Sequence, residues 1–151
     1  MSHVVEMDLK VLDLNALAQA SLNVGLEFRT DQKTHKWYGR FVGDYRGNDA
    51  AARTRDPKTF GKCEHAIGVP NNTNAYEIGV VKATDGDGFA LVYDNWHEGY
   101  GLEAVAGRSL ERLRQEYAAE TSARSLMAEG YDVTRHVDQS TGEVVVMGYQ
   151  R

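Results

Sequence analysis

Cysteine is almost missing from this sequence: Cys63 is the single one in 151 residues. One thiol cannot build an intrachain disulfide framework, nor can it supply the several thiolates of a structural zinc site. Long apolar runs are missing too. No stretch approaches the roughly 18 consecutive apolar residues of a membrane-spanning helix. The opening Met1-Ser2-His3-Val4-Val5-Glu6-Met7-Asp8 has neither the basic nor the apolar region of a signal peptide. The expected setting is a reducing cytoplasm. An excess of positive charge is also lacking: 17 Lys and Arg against 22 Asp and Glu leave a formal net charge of −5 with the histidines neutral. Affinity for a nucleic-acid backbone depends on clustered cations that neutralise phosphates, so general nucleic-acid binding is disfavoured. Internal repeats and low-complexity tracts are absent.

What is present suits a globular domain. Hydrophobic residues make up 42% and charged residues 26%, near the average for folded domains and far from the composition of disorder. A chain of 151 residues fits one domain, residues 1–151, with no room for a second core.

Val5, Met7 and Leu9 alternate with Glu6, Asp8 and Lys10, the period of a half-buried strand. Asp13 offers an N-cap to a helix over about 14–24, where Leu14, Leu17, Ala18, Ser21 and Leu22 recur at helical spacing. Gly25 stands where helices commonly end in a left-handed residue. Leu26, Phe28 and Thr30 then alternate with charged residues. Lys36-Trp37-Tyr38-Gly39-Arg40-Phe41-Val42 has the aromatic and β-branched content of a further strand, and the polar link Asp31 to His35 makes the two a hairpin. Residues 43–62 are rich in Gly, Asp, Arg and Ala, contain Pro57 and show no period. They read as a long loop or insertion of the kind that carries function.

His65 to Val69 reads as a short strand ended by Pro70, followed by the turn-rich Asn71-Asn72-Thr73-Asn74. The apolar runs Tyr76 to Val81 and Phe89 to Tyr93 flank Asp85-Gly86-Asp87-Gly88, a strong hairpin signal because Gly supplies positive φ at little cost. A long helix follows, with Ser109 as its cap, Leu110, Leu113, Tyr117, Thr121, Arg124 and Ala128 along one stripe, and Gly130 at its end. Val133 to Val137 and Val144 to Tyr149 form the last two strands around Ser140-Thr141-Gly142. The expected order is β-α-β-β-β-β-β-α-β-β. The fold class is α+β, an antiparallel sheet of about five to seven strands with two helices on one face.

Particular residues go beyond pattern. The Met1-Ser2-His3 opening, the first helix ending at Gly25, Tyr38-Gly39, Tyr76-Glu77-Ile78-Gly79-Val80, Asp87-Gly88-Phe89-Ala90-Leu91-Val92-Tyr93-Asp94-Asn95-Trp96, Gln115-Glu116-Tyr117-Ala118 and Glu129-Gly130-Tyr131-Asp132-Val133 stand out. Together they resemble the hypothetical plastid open reading frame thirty-five family, also called domain of unknown function twelve fifty-seven. Such proteins occur in plastids, cyanobacteria, other bacteria and phages. The resemblance runs over most of the chain and is firmest from Tyr76 to Arg151. Its motifs are fold-level, so no functional residue is carried over. Residues 43–62 and His97, beside the Tyr93-Asp94-Asn95-Trp96 strand end, depart from the family pattern and mark where a specialised activity would sit.

Several clusters carry possible chemistry. Asp94-Asn95-Trp96-His97-Glu98 places two carboxylates and an imidazole close in sequence, but on an extended chain Asp94 and Glu98 project opposite to His97. Cys63-Glu64-His65 suggests a thiolate beside a base, against the plainer reading of a small buried hydrophobe. The histidines His3, His35, His65, His97 and His136 show no metal-ligand spacing. Neither Gly-rich turn has the pattern of a phosphate loop, and Asp85-x-Asp87 lacks the remaining ligands of a calcium loop. No metal and no cofactor are expected.

The most suggestive group is Trp37, Tyr38 and Arg40 with Tyr45, Arg46, Arg53 and Arg55. An aromatic ring stacks on a flat ligand while a guanidinium fork binds an anion, and seven of the 17 basic residues fall between residues 33 and 58. The plainer reading turns Trp37 into the core and leaves the arginines solvating a loop. Trp96 and His97 complete the candidate ligand-binding set. The first functional expectation is a small non-enzymatic cytoplasmic binding or interaction domain, open to homo-oligomerisation. It would capture a nucleotide-like anionic molecule or a protein partner, and in a phage it would blunt a defence or regulatory pathway. The alternative is a metal-assisted or acid/base hydrolase using His65, Asp94, His97 and Glu98 or Glu77.

Overall fold

The structure is a computed structural model that describes residues 3–39, 42–44 and 55–150. A five-stranded antiparallel sheet forms its centre. The strands are β1 (Val4–Glu6), β2 (Glu27–Arg29), β3 (His65–Gly68), β4 (Ile78–Lys82) and β5 (Phe89–Asp94), in the spatial order β1-β5-β4-β3-β2. Three α-helices follow the chain: α1 (Leu14–Val24), α2 (Leu102–Ala106) and α3 (Glu111–Ala128). A separate two-stranded ribbon, β6 (Asp132–Val137) with β7 (Val144–Tyr149), packs on α3. The α+β class and the antiparallel pairing are as expected. No helix among the described residues is long and apolar enough to cross a membrane.

Local chemistry explains the elements that the pattern located. The Asp13 carboxylate accepts from the amide of Ala16 at 3.0 Å and opens α1, and Gly25 closes it at φ 94°. Gly86 and Gly88 adopt φ 115° and 94° and turn β4 into β5. Register then sorts the sheet's two faces. Val80 opposite Leu91, Ile67 opposite Ile78 and Val5 opposite Tyr93 point to α1 and α3, where they join Leu17, Leu113 and Tyr117 in the main core.

The other face carries Val4, Ala66, Gly68, Gly79, Val81, Ala90, Val92 and Asp94, mostly small side chains. It too is covered. The described parts of the connection between β2 and β3 fold back across it, and Trp37 and Phe60 form a second apolar cluster with Val4. Backbone bonds tie this cover down: His35 donates to the Gly61 carbonyl, Cys63 to Lys33 and Glu77 to Lys36, each at 2.9 Å.

Three expectations need correction. The strand over 36–42 does not form in its described part. Residues 36–39 are irregular, residues 40–41 lie outside the described residues, and β2 pairs with β3 instead. The aromatic content there serves packing over the sheet rather than a ladder, since strand propensity measures fit to a half-buried surface. Ser109 does not cap α3; it sits at φ 55° in a 3₁₀ turn ahead of the helix, and the capping position is Leu110. Finally, β6 and β7 form their own ribbon, and the short helix α2 between Gly101 and Gly107 has no counterpart in the pattern.

Candidate ligand-binding site

Between the second sheet face and its cover lies a partly open cavity of about 180 Å³. Val4, Val81 and Val92 form its floor, and Trp37, Phe60, His35 and Cys63 its walls. Trp37 is only 5% exposed and meets Phe60 edge-on, with ring centroids 6.1 Å apart. Its indole fits because its neighbours are glycines: a Cβ at Gly61 would stand 2.6 Å from Nε1. On the far side, His35, Trp37 and Gly61 also border an open groove of about 710 Å³ that runs past Lys36 and Tyr38.

Charge collects at the cavity's edge. Arg55 lines it, its side chain 12% exposed, and binds the Glu6 carboxylate through Nε. Arg55 Nη2 is enclosed and has no hydrogen-bond partner, alone in this among the buried side-chain nitrogens and oxygens of the described residues. Lys62 and Lys82 also line the cavity. Among the described residues the one lining carboxylate, Glu64, is answered by Lys33 at 3.4 Å.

The two titratable groups in the wall are neutral at pH 7. Burial lowers the pKa of His35 from 6.5 and outweighs the Glu77 carbonyl, 3.2 Å from Nδ1, and the Glu77 and Asp94 carboxylates, which act in the opposite direction. Burial likewise pushes the Cys63 thiol up to about 12, with Glu77 and Glu64 adding to it. Its Sγ donates to the Gln32 carbonyl at 3.2 Å, while His65 Nδ1 accepts the Asp31 amide at 2.9 Å, so the two do not form a thiolate–base pair.

The structure divides the sequence-selected residues. Trp37 and Arg55 meet at the cavity, and Tyr38, 53% exposed, lies on the groove. Arg40, Tyr45, Arg46 and Arg53 lie outside the described residues. Trp96 and His97 do not line the cavity. They belong to an aromatic chain at the end of β5, in which His3 stacks on Trp96 at 5.0 Å and 9° and His97 lies 5.3 Å from Tyr100. Backbone there is left-handed: His97, Glu98, Gly99 and Tyr100 have φ 48°, 57°, 69° and 52°.

Within the alternative acid/base set, His65 is not brought to Asp94. Asp94 and His65 occupy opposite faces of the sheet, and His65 sits between Phe28 and Phe89. Asp94 is fully buried, and its oxygens accept the amides of His3 at 3.0 Å, Trp96 at 3.0 Å and Tyr38 at 3.2 Å. It pins the chain's start and the cover to the sheet end. Glu77 is held by Arg29, by Gln32 at 3.1 Å and by the Lys36 amide at 2.7 Å. Among the described residues no group of three or more His, Cys, Asp or Glu is placed to hold a metal ion.

Sequence reasoning missed His35, Phe60 and Cys63 as wall residues. One signal pointed to a second covered face: Phe89-Ala90-Leu91-Val92-Tyr93 is apolar without alternation, as in a strand buried on both sides. No family model, no curated protein and no solved structure matches the chain.

Proposed function

We propose that the protein is a non-enzymatic capture domain that binds a small molecule in the cavity beneath Trp37 and Phe60. The observation that carries this reading is the cavity itself, about 180 Å³, floored by Val4, Val81 and Val92 and edged by Arg55, Lys62 and Lys82. An apolar pocket with a few convergent polar groups is the usual form of a small-molecule site. The Cys63 thiol, pushed up to about 12 by burial and donating to the Gln32 carbonyl, gives the wall no thiolate nucleophile. A cytoplasmic setting and kinship with the plastid open reading frame thirty-five family are part of the proposal and assign no further residue.

The test is a chemical-shift titration of the ¹⁵N-labelled chain with single-ring compounds, both neutral and anionic. Saturable shifts at Gly61, Val81 and Val92 are expected for at least one of them. A panel that leaves those amides unmoved at millimolar concentration overturns the reading.

A further inference from the structure

Resting on that reading, we infer that the ligand is a small single-ring carboxylate, its ring against Val81, Val92 and Phe60 and its carboxylate on Arg55. Three observations converge on that class. The first is size. An apolar cavity of about 150 Å³ takes up benzene, so a cavity of about 180 Å³ has room for one ring and a small substituent. A complete nucleotide does not fit inside it.

The second is polarity. The floor is three valines, and two of the wall's polar atoms are already engaged, His35 Nδ1 facing the Glu77 carbonyl and the Cys63 thiol the Gln32 carbonyl. A nucleobase enclosed here would leave most of its edge donors and acceptors unpaired, a cost of the order of 1–3 kcal/mol for each group. A hydrocarbon ring with a single acidic head gathers its polar atoms into one group, which can lie at the charged edge while the ring meets the valines.

The third is charge. Arg55, Lys62 and Lys82 line the cavity, and neither lysine has a carboxylate within ion-pair distance among the described residues. Among the described residues Glu64, which lines the cavity, and Glu6, which pairs with Arg55, leave the rim net positive in a chain whose net charge is −5. A carboxylate is the planar acceptor that a guanidinium matches best, because its oxygens accept in the plane of the N–H donors.

The experiment titrates the ¹⁵N-labelled full chain with benzoate, its neutral isostere benzamide, and uracil. Benzoate is expected to shift Gly61, Val81 and Val92 and to bind at least about tenfold more tightly than benzamide, the gain of a charge-assisted hydrogen bond over a neutral one. Arg55→Gln is expected to bring the two within about twofold while benzamide binding persists. Benzamide binding as tightly as benzoate, or uracil binding more tightly than both, overturns the carboxylate assignment and leaves the capture reading standing. Failure of all three probes to move these amides overturns both. Should Arg55→Gln not fold, the benzoate-to-benzamide ratio on the unaltered chain decides by itself.

Discussion

The imidazole of His35 rests against Gly79: a Cβ at position 79 would stand 2.6 Å from His35 Cδ2 and 2.9 Å from Nε2. The ring closes the cover over β4, and the absent side chain makes room for it. Gly79→Ala is therefore expected to cost about 1–3 kcal/mol, the range of overpacked cores, in urea unfolding. With His35→Ala the same change costs far less, giving a coupling of about 1 kcal/mol or more in the double-mutant cycle. Additive effects would show that the ring and the glycine do not meet.

The same ring sets a pH dependence. In the unfolded chain His35 takes up a proton below about 6.5, whereas in the fold burial lowers its pKa. Between the two values the unfolded state binds more protons, so stability falls as pH drops below 6.5 and levels off once the folded pKa is passed. Relative to His35→Phe, the native chain is expected to lose up to about 1.4 kcal/mol more for each unit of pH in that window. Parallel stability profiles for the two proteins would contradict a neutral, enclosed imidazole.

Cys63 is expected to be silent. With its thiol pushed up to about 12, almost no thiolate exists at neutral or mildly alkaline pH, and the thiolate is the reacting form. An aromatic disulfide reagent is therefore expected to label the folded protein orders of magnitude more slowly than the urea-unfolded chain. Equal rates would reopen a reactive cysteine.

Removing the Asp94 carboxylate strands three amide donors at once, those of His3, Tyr38 and Trp96. Asp94→Ala is expected to cost about 3 kcal/mol or more, since each buried unpaired donor carries a penalty of about 1–3 kcal/mol. Denaturant unfolding checks the magnitude. A change within 1 kcal/mol, about the worth of one ordinary hydrogen bond, would mean that water replaces the carboxylate.

The left-handed turn predicts an inverted glycine effect. At His97, φ 48°, a non-glycine residue carries about 1–2 kcal/mol of strain, which offsets the entropy that glycine adds to the unfolded chain. His97→Gly is expected to be neutral or to stabilise by about 0.5 kcal/mol, while Ala118→Gly on the exposed side of α3 costs about 1 kcal/mol. Equal losses at both positions would show that the turn is unstrained.

Much of the fold was legible because its signals are local. Asp13, Gly25 and the doubled Asp-Gly each act within a few residues, so their chemistry can be read in order along the chain. The stretch around Trp37 misled for the opposite reason. An indole packed across a sheet and one within a strand look alike in sequence, and only distant glycines such as Gly61 distinguish them. The site was half legible: Trp37 and Arg55 advertise stacking and anion binding by their side chains alone. His35, Phe60 and Cys63 become wall residues only because the chain between β2 and β3 doubles back, and nothing near them encodes that return.

The ribbon β6–β7 shares no ladder with the central sheet and leans on α3. Two strands by themselves are marginally stable in water, so this ribbon can open while the sheet and its core stay shut. The molecule thus has two tiers of cooperativity. Amide protons of Val133 to Val137 exchange with solvent through that cheaper opening, while those of β4 and β5 wait for the whole chain to unfold.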